Sequence, residues 1–210
     1  MDTDRQAKIC GHMGKLFAER WRCHDRLILR QTLLSMVEGR STNVRSLSTK
    51  TSIPKSSVLA ALATDRYEVS GSGEVVEVFG VSTENRHPFE LVSGDSTLSI
   101  CCALVSLMVS QLSPAQKTML SVDPVSKRRI EIISSPSFLE SDPIDTVAVL
   151  VAPTVDEFCN DASNSFCKYV RLYESAENAS EGSKIAPSAV HMSVDALFQI
   201  SQSLSREFWG

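Results

Sequence analysis

Three cysteines give this sequence the residue types for soft-metal chemistry. Cys101 and Cys102 are adjacent in the apolar run SICCALVSLM, and Cys167 follows Cys102 by 65 residues, in SFCKYVRLY. Free cysteine is a common core residue, so burial alone could explain each of them. If the fold brings Cys102 and Cys167 together, the two thiols form a two-coordinate site that suits Hg(II) or Cu(I) better than a hard cation.

Other kinds of site have weaker support in the sequence. It contains neither a glycine-rich phosphate loop nor a GxSxG motif. Cys10, His12, Cys23 and His24 are zinc-ligand types, but their spacing matches no common zinc finger. We interpret them as helix-face cysteines with incidental histidines.

Composition narrows the class of protein. The 210 residues, 42% of them apolar, are enough for one large domain or two small ones. The net charge of −4 argues against nucleic acid as a dominant partner. No segment approaches the roughly 18 apolar residues of a membrane span, so we expect no membrane partner. The N-terminus lacks the apolar stretch of a secretory signal, which predicts a cytoplasmic protein with reduced cysteines.

Hydrophobic periodicity predicts a mixed α+β chain whose first domain, residues 1–82, is helical and winged-helix-like. Residues 5–38 are predicted to be helical, residues 44–63 to form two short helices, and residues 67–78 to form a β-hairpin. The second short helix should bury Val58, Leu59 and Leu62. A winged helix can bind DNA through a recognition helix, here Lys55–Ala63, but few side chains of that helix could contact bases. A transcriptional regulator is therefore an alternative that the sequence disfavours.

The second predicted domain, residues 83–210, is a mixed α/β unit with an antiparallel-type sheet and flanking helices. The stretch Glu174–Ser183 is small and polar, which predicts a surface loop. The predicted elements are, in order, a strand at HPFELV, a helix at STLSICCALVSLMV, strands at RRIEIISS, DTVAVLVAP and FCKYVRLYES, and a C-terminal helix at APSAVHMSVDALFQISQSLSREFW.

Several of these segments resemble the organomercurial (alkylmercury) lyase family. CCALVSLMVSQL looks like the WCALDTL segment of that family, and NSFCKYVRLYES looks like its SFC strand, which carries the second reactive thiol. SVDALFQISQSLSREF is similar to the last helix of the family. GRSTNVRSLSTKTSIP and the hairpin EVSGSGEVVEVFGVS are similar to its first domain. The resemblance runs from about residue 25 to the end of the chain.

The resemblance implies cleavage of a carbon–mercury bond. In that reaction one thiolate binds the metal, a second thiol joins it, and a nearby acid protonates the leaving carbon. Cys102 and Cys167 stand at the two thiol positions, which makes them the implied catalytic and soft-metal-binding residues. Two positions depart from the family. Cys101 replaces the usual tryptophan, and Val105 replaces the usual aspartate, three positions after the first cysteine.

Three residues are candidate accessory groups in place of the missing aspartate. Cys101 is a third thiol near the site. Ser106 follows position 105 but is rotated from it by about 100° on a helix. Asp123 lies 21 residues after Cys102, where some members of the family carry a cysteine, although its context VDPVSK is typical of a turn.

The expected ligands follow from the same resemblance. We expect no required cofactor, Hg(II) or another soft metal as the bound species, and an organometallic or thiol-reactive small molecule as substrate. Small cellular thiols are the expected partners. Because Val105 cannot carry a proton, the alternative is a divergent relative that binds a soft metal without cleavage or performs other thiol-dependent chemistry on a small molecule.

Overall fold

The structure is a computed structural model that describes residues 3–21, 25–184, 186 and 188–209, without the side chains of residues 3–6. The helices are α1 (Thr3–Arg20), α2 (Arg26–Val37), α3 (Val44–Thr51), α4 (Lys55–Leu62), α5 (Ala103–Ser110), α6 (Val155–Ser165), α7 (Ala176–Gly182) and α8 (Val194–Trp209). The strands are β1 (Tyr67–Val69), β2 (Val75–Val78), β3 (Val81–Ser82), β4 (Phe89–Ser93), β5 (Ser96–Ile100), β6 (Lys117–Val122), β7 (Arg129–Ser135), β8 (Phe138–Asp142), β9 (Val147–Leu150), β10 (Arg171–Tyr173) and β11 (Val190–Ser193).

Two antiparallel sheets organise these strands. The larger has eight strands in the order β1-β2-β3-β5-β4-β6-β7-β8, and the smaller has three in the order β10-β9-β11. Every pairing among the described strands is antiparallel. The predicted α+β class with an antiparallel sheet and flanking helices is confirmed.

The N-terminal helical region differs from the prediction in one respect. The single helix predicted over residues 5–38 is wrong, because Asp25 begins a second helix. Its carboxylate accepts hydrogen bonds from the backbone N–H groups of Leu27, at 2.9 Å, and Ile28, at 3.1 Å. An aspartate that takes up the free N–H groups of a first turn is a favourable N-cap.

The next two helices and the hairpin follow in the predicted order. Val58 and Leu62 are buried in α4 as predicted, but Leu59 is 59% exposed, so its predicted burial is wrong. The winged-helix designation stays a prediction. So does the domain boundary at residue 82. The larger sheet runs across that position, since β3 pairs with β2 on one side and with β5 on the other.

Three further predictions of local structure are corrected in the second half. The helix predicted at STLSICCALVSLMV divides into strand β5 and helix α5, with Cys101 and Cys102 between them. Cys167 lies in a 3-10 turn, Cys167–Tyr169, and not in a strand. The predicted surface loop contains α7, whose N-cap Ser175 accepts a hydrogen bond from the backbone N–H of Asn178.

Helix α5 is the centre of the core. All eight of its residues are buried, and it packs against α8 and against β4, β5 and β7. A helix that is apolar on every side belongs inside a protein. Burial of each large side chain contributes about 1.5–3 kcal/mol. The position of α5, and of the residues that start it, is therefore strongly fixed.

No helix among the described residues is long and apolar enough to cross a membrane.

Candidate active site

The sulfur atoms of Cys101, Cys102 and Cys167 form one cluster, and each lies within 4.8 Å of the other two. All three cysteines are free thiols. In the part of the chain that the structure describes, no other group of three cysteine, histidine or carboxylate side chains brings its ligand atoms this close. The convergence of Cys102 with Cys167, which the sequence left as a condition, is met, and Cys101 joins them.

A tight turn holds Cys101 in place. Strands β2 and β3 are joined by Phe79 and Gly80, whose φ angles are 59° and 71°. Positive φ at both central residues is typical of a type I′ hairpin turn. The backbone N–H of Cys101 donates a hydrogen bond to the carbonyl oxygen of Gly80 at 2.8 Å. A Cβ atom at Gly80 would lie 2.4 Å from the Cys101 sulfur, so only glycine leaves room for that sulfur.

Aromatic packing stabilises the unusual backbone of Phe79. Its ring lies 5.5 Å from the ring of Phe17, 5.4 Å from that of Trp21 and 5.7 Å from that of Phe208. A side chain other than glycine at positive φ is strained and persists where its surroundings fix it. These contacts with α1, with Trp21 directly after it and with α8 provide that constraint.

Cys102 occupies the N-cap position of α5 and is completely buried. The next residue ties this position to the other half of the cluster, because the N–H of Ala103 donates to the carbonyl oxygen of Val170 at 3.4 Å. Val170 follows the 3-10 turn that begins at Cys167. The two segments that carry the cysteines are therefore joined by backbone as well as by sulfur contacts.

The environment favours a thiolate at Cys102. Burial raises the pKa of Cys102, but hydrogen bonds with the thiols of Cys101 and Cys167 lower it. The backbone N–H groups of Val105 and Leu104, in the first turn of α5, lower it as well. The result is a pKa well below the usual value, as expected for a cysteine at a helix N-terminus.

The other two cysteines keep their protons. Hydrogen bonds to Cys102 and to Cys167, together with burial, raise the pKa of Cys101 well above its usual value. A hydrogen bond with Cys101 lowers the pKa of Cys167, but its hydrogen bond with Cys102 and its burial raise that pKa well above the usual value. These directions favour one thiolate, at Cys102, beside two thiols.

A pocket of about 180 Å³ opens beside the cluster, and Cys101 and Cys167 form part of its wall. Its aromatic lining consists of Phe17, Trp21, Phe79, Phe158 and Phe166. Its charged or ionisable lining consists of Arg20, Asp65, Arg66, Glu77 and His87. An apolar cleft with a few polar groups is the usual form of a small-molecule site.

Two polar features of the pocket are well defined. Arg20 donates hydrogen bonds to the carbonyl oxygens of Phe158, at 2.7 Å, and Cys159, at 2.8 Å. This guanidinium lowers the pKa of Cys167, although less than the other causes raise it. His87 Nε2 lies 3.2 Å from Glu77 Oε1, and this contact with His87 holds the pKa of Glu77 below its usual value.

Comparison with known proteins identifies the family. The family model described as alkylmercury lyase matches residues 82–206, more than half of the chain. The chain belongs to the alkylmercury lyase family. A solved structure, "Crystal structure of the mercury-bound form of MerB2", has the same fold, with a TM-score of 0.72 and 19% sequence identity, and the match covers 94% of this chain and 99% of that one. No curated protein matches the chain.

The aspartate expected in an alkylmercury lyase is absent from this site. Val105, at that position, is buried and lines the pocket. Ser106 is fully buried and lies outside the pocket lining, and its hydroxyl has no hydrogen-bond partner among the described residues.

Asp123 also lies outside the pocket lining, and its carboxylate makes hydrogen bonds elsewhere. It accepts hydrogen bonds from the backbone N–H groups of Val125, at 2.7 Å, and Ser126, at 3.1 Å. It also accepts from the backbone N–H of Glu174, at 2.8 Å, and from the side-chain amide of Asn178, at 3.0 Å. These bonds fit the turn that the sequence context indicates.

Cys10 and His12, the two of the four N-terminal candidates that the structure describes, do not belong to a metal site among the described residues. Cys10 is half-buried on α1, and His12 Nε2 contacts the carbonyl oxygen of Pro153 at 2.8 Å. Cys23 and His24 lie outside the described residues.

Sequence reasoning missed Gly80, Arg20 and the pair of Glu77 and His87. The phenylalanine-glycine step in VVEVFGVS is a possible turn signal, but nothing local shows that this turn lies against Cys101. No sequence signal connects Arg20, on the first helix of this alkylmercury lyase family member, with lining residues such as Glu77, Cys101 and Cys167, which lie far from it in the chain.

Because Gly80 lies so close to the Cys101 sulfur, we expect one added methyl group at position 80 to lower the stability of the protein. Gly80→Ala should destabilise the protein by about 1–3 kcal/mol more than Gly94→Ala, because overpacking adds to the cost of positive φ. Gly94 is the matched control, since its φ is +57° and nothing lies within 4 Å of a Cβ placed there. Urea unfolding of both variants measures the difference. Equal losses of stability would contradict the packing, and combining Gly80→Ala with Cys101→Ala should recover part of the loss.

Proposed function

We propose that this protein binds an organomercurial, R–Hg⁺, between Cys102 and Cys167 and cleaves its carbon–mercury bond to release R–H. The observation that carries the proposal is the cluster of sulfurs, within 4.8 Å of one another, beside a small aromatic pocket. Membership of the alkylmercury lyase family supports the reaction class. The MerB2 structure is the mercury-bound form of a protein with the same fold, which supports mercury as the metal.

The pocket suits a small organic group on mercury. Its volume of about 180 Å³ is comparable to the roughly 150 Å³ of a cavity known to bind benzene. The aromatic lining offers apolar contact to a methyl, alkyl or phenyl group. The thiolate of Cys102 is the nucleophile for mercury, because the thiolate and not the thiol is the metal ligand.

The proposed reaction balances without a redox step. The substrate arrives bound to a small thiol, and the sulfurs of Cys102 and Cys167 replace that thiol on mercury. The carbon–mercury bond then breaks with its electron pair on carbon, and the carbon takes one proton and leaves as R–H. The proton that the carbon takes up is matched by the proton that the Cys167 thiol loses when its sulfur bonds mercury. The small thiol leaves as a thiolate, and Hg(II) stays on the two sulfurs.

The proton needs a carrier other than residue 105, because valine has no exchangeable proton. His87 and Glu77 are one of two ionisable pairs that line the pocket, and Arg66 with Asp65, 3.8 Å apart, is the other. Histidine is the side chain that ordinarily exchanges a proton near neutral pH. We assign proton delivery to His87, directly or through one water, with Glu77 as its orienting partner. The proton released by Cys167 restores His87 afterwards.

One observation favours a second candidate function. Val105 removes the family's usual proton-handling group from the inner wall of the pocket. A protein with the thiols but without that group could bind R–Hg⁺ or another soft metal and leave the carbon–mercury bond intact.

Benzene release from phenylmercury distinguishes the two functions. Incubated with phenylmercury acetate and excess free cysteine, the wild-type protein should release benzene above a thiol-only control, as measured by gas chromatography. Cys102→Ser and Cys167→Ser should each lower the rate about 10³-fold or more, because these residues act as a unit. Cys159→Ser is the matched control and should behave as wild type, since Cys159 lies outside the cluster.

Different results of this assay would point to different conclusions. Stoichiometric retention of phenylmercury without benzene would establish binding without cleavage. Unchanged benzene release in Cys102→Ser would contradict the proposed nucleophile.

If His87 delivers the proton, its replacement should slow benzene release and leave phenylmercury binding unchanged. His87→Gln should lower the rate of benzene release by about 10²–10⁴-fold, the usual contribution of a general acid, with binding stoichiometry unchanged. Mass spectrometry of the protein–phenylmercury complex measures binding. His191→Gln is the control, because His191 contacts Ser183 and does not line the pocket. A rate equal to wild type in His87→Gln would remove His87 from the mechanism.

A further inference from the structure

We infer that Cys101 is a third sulfur ligand, and that the protein holds Hg(II) in a three-coordinate thiolate site made by Cys101, Cys102 and Cys167. This inference rests on the proposed function, because it describes the state of the site after the carbon has left. Beyond that function, it adds Cys101 as a ligand and predicts slower release of the metal.

The sulfur positions carry the inference. The centre of a triangle with 4.8 Å sides lies about 2.8 Å from each corner, so a metal there would be no farther than this from any of the three sulfurs. A zinc–thiolate bond is about 2.3 Å long, so small inward movements of the side chains reach bonding distance for a soft metal. All three donors are sulfurs, the ligand type that soft metals prefer.

The Cys101 sulfur is fixed in the cluster by its surroundings. It lies within 4.8 Å of the sulfurs of both other cysteines. Its backbone is held by the carbonyl oxygen of Gly80, and the missing side chain of Gly80 leaves the space that the sulfur fills. A core substitute for a large aromatic side chain would not need contacts of this kind with two thiols.

Access to the site also passes Cys101. Cys101 and Cys167 line the pocket, whereas Cys102 is completely buried and does not. An incoming metal therefore meets Cys101 and Cys167 at the pocket wall before it reaches the thiolate of Cys102. A ligand at the entrance that stays bonded opposes departure of the metal by the same route.

The binding step is balanced and involves no electron transfer. Hg(II) bonds to the thiolate of Cys102 and displaces one proton each from the thiols of Cys101 and Cys167. The two protons pass to water, and the complex carries one negative charge. A small thiol that removes the metal must then replace three protein sulfurs, and each sulfur it displaces remains nearby to rebind.

The experiment counts the sulfurs on mercury and times its loss. The full-length chain is used with the other three of its six cysteines, Cys10, Cys23 and Cys159, changed to serine, so that only the cluster thiols remain. One equivalent of mercuric chloride is added, and X-ray absorption fine structure counts the sulfur neighbours of mercury. We expect three in this background and two after Cys101→Ser. Transfer of mercury to excess glutathione should be at least about tenfold faster after Cys101→Ser.

Cys101→Ala serves as a second variant, and thermal unfolding establishes that each variant is folded. Two sulfurs on mercury in the background protein, or equal transfer rates with and without Cys101, would overturn the third ligand and leave the proposed function standing. Failure of the background protein to retain mercury, or retention that Cys102→Ser leaves unchanged, would instead overturn the proposed function.

Discussion

The whole site depends on the fixed start of helix α5. The helix is buried on every side, so its first turn cannot shift without disturbing the core. The residues on either side of Cys102 are held from opposite directions, since the N–H of Cys101 donates to Gly80 in the β2–β3 turn and the N–H of Ala103, the first residue of α5, donates to Val170 beyond Cys167. These two backbone hydrogen bonds bring three separate stretches of chain to one point. The sulfurs meet there as a result.

The same arrangement explains how a reactive thiolate exists in an apolar interior. Burial opposes ionisation of Cys102, but the N-terminus of α5 and two neighbouring thiols offset that cost. The charge is thus stabilised by dipoles and S–H donors. A site of this kind favours a soft, thiol-seeking metal over hard cations, which prefer oxygen ligands. The pocket then selects for a small organic group by size and aromatic lining.

The sequence predicts much of this and misses the rest for physical reasons. Helical periodicity and the resemblance of CCALVSLMVSQL and NSFCKYVRLYES to known segments are local signals, and they led to Cys102, Cys167 and the family. The continuous apolar run hid the change from strand β5 to helix α5, because a buried strand and a buried helix have the same hydrophobic pattern. Gly80, Arg20 and His87 approach the cysteines only through tertiary packing. The hydrophobic periodicity of a sequence carries no information about contacts between residues that are far apart in the chain.

The most direct test of the account is a crystal of the protein soaked in a phenylmercury compound, with anomalous scattering used to locate mercury. We predict one fully occupied mercury site within bonding distance of the Cys102 and Cys167 sulfurs, at the end of the aromatic pocket. Mercury found only at Cys10 or Cys159, or sulfurs of Cys102 and Cys167 too far apart to share one metal ion, would contradict it.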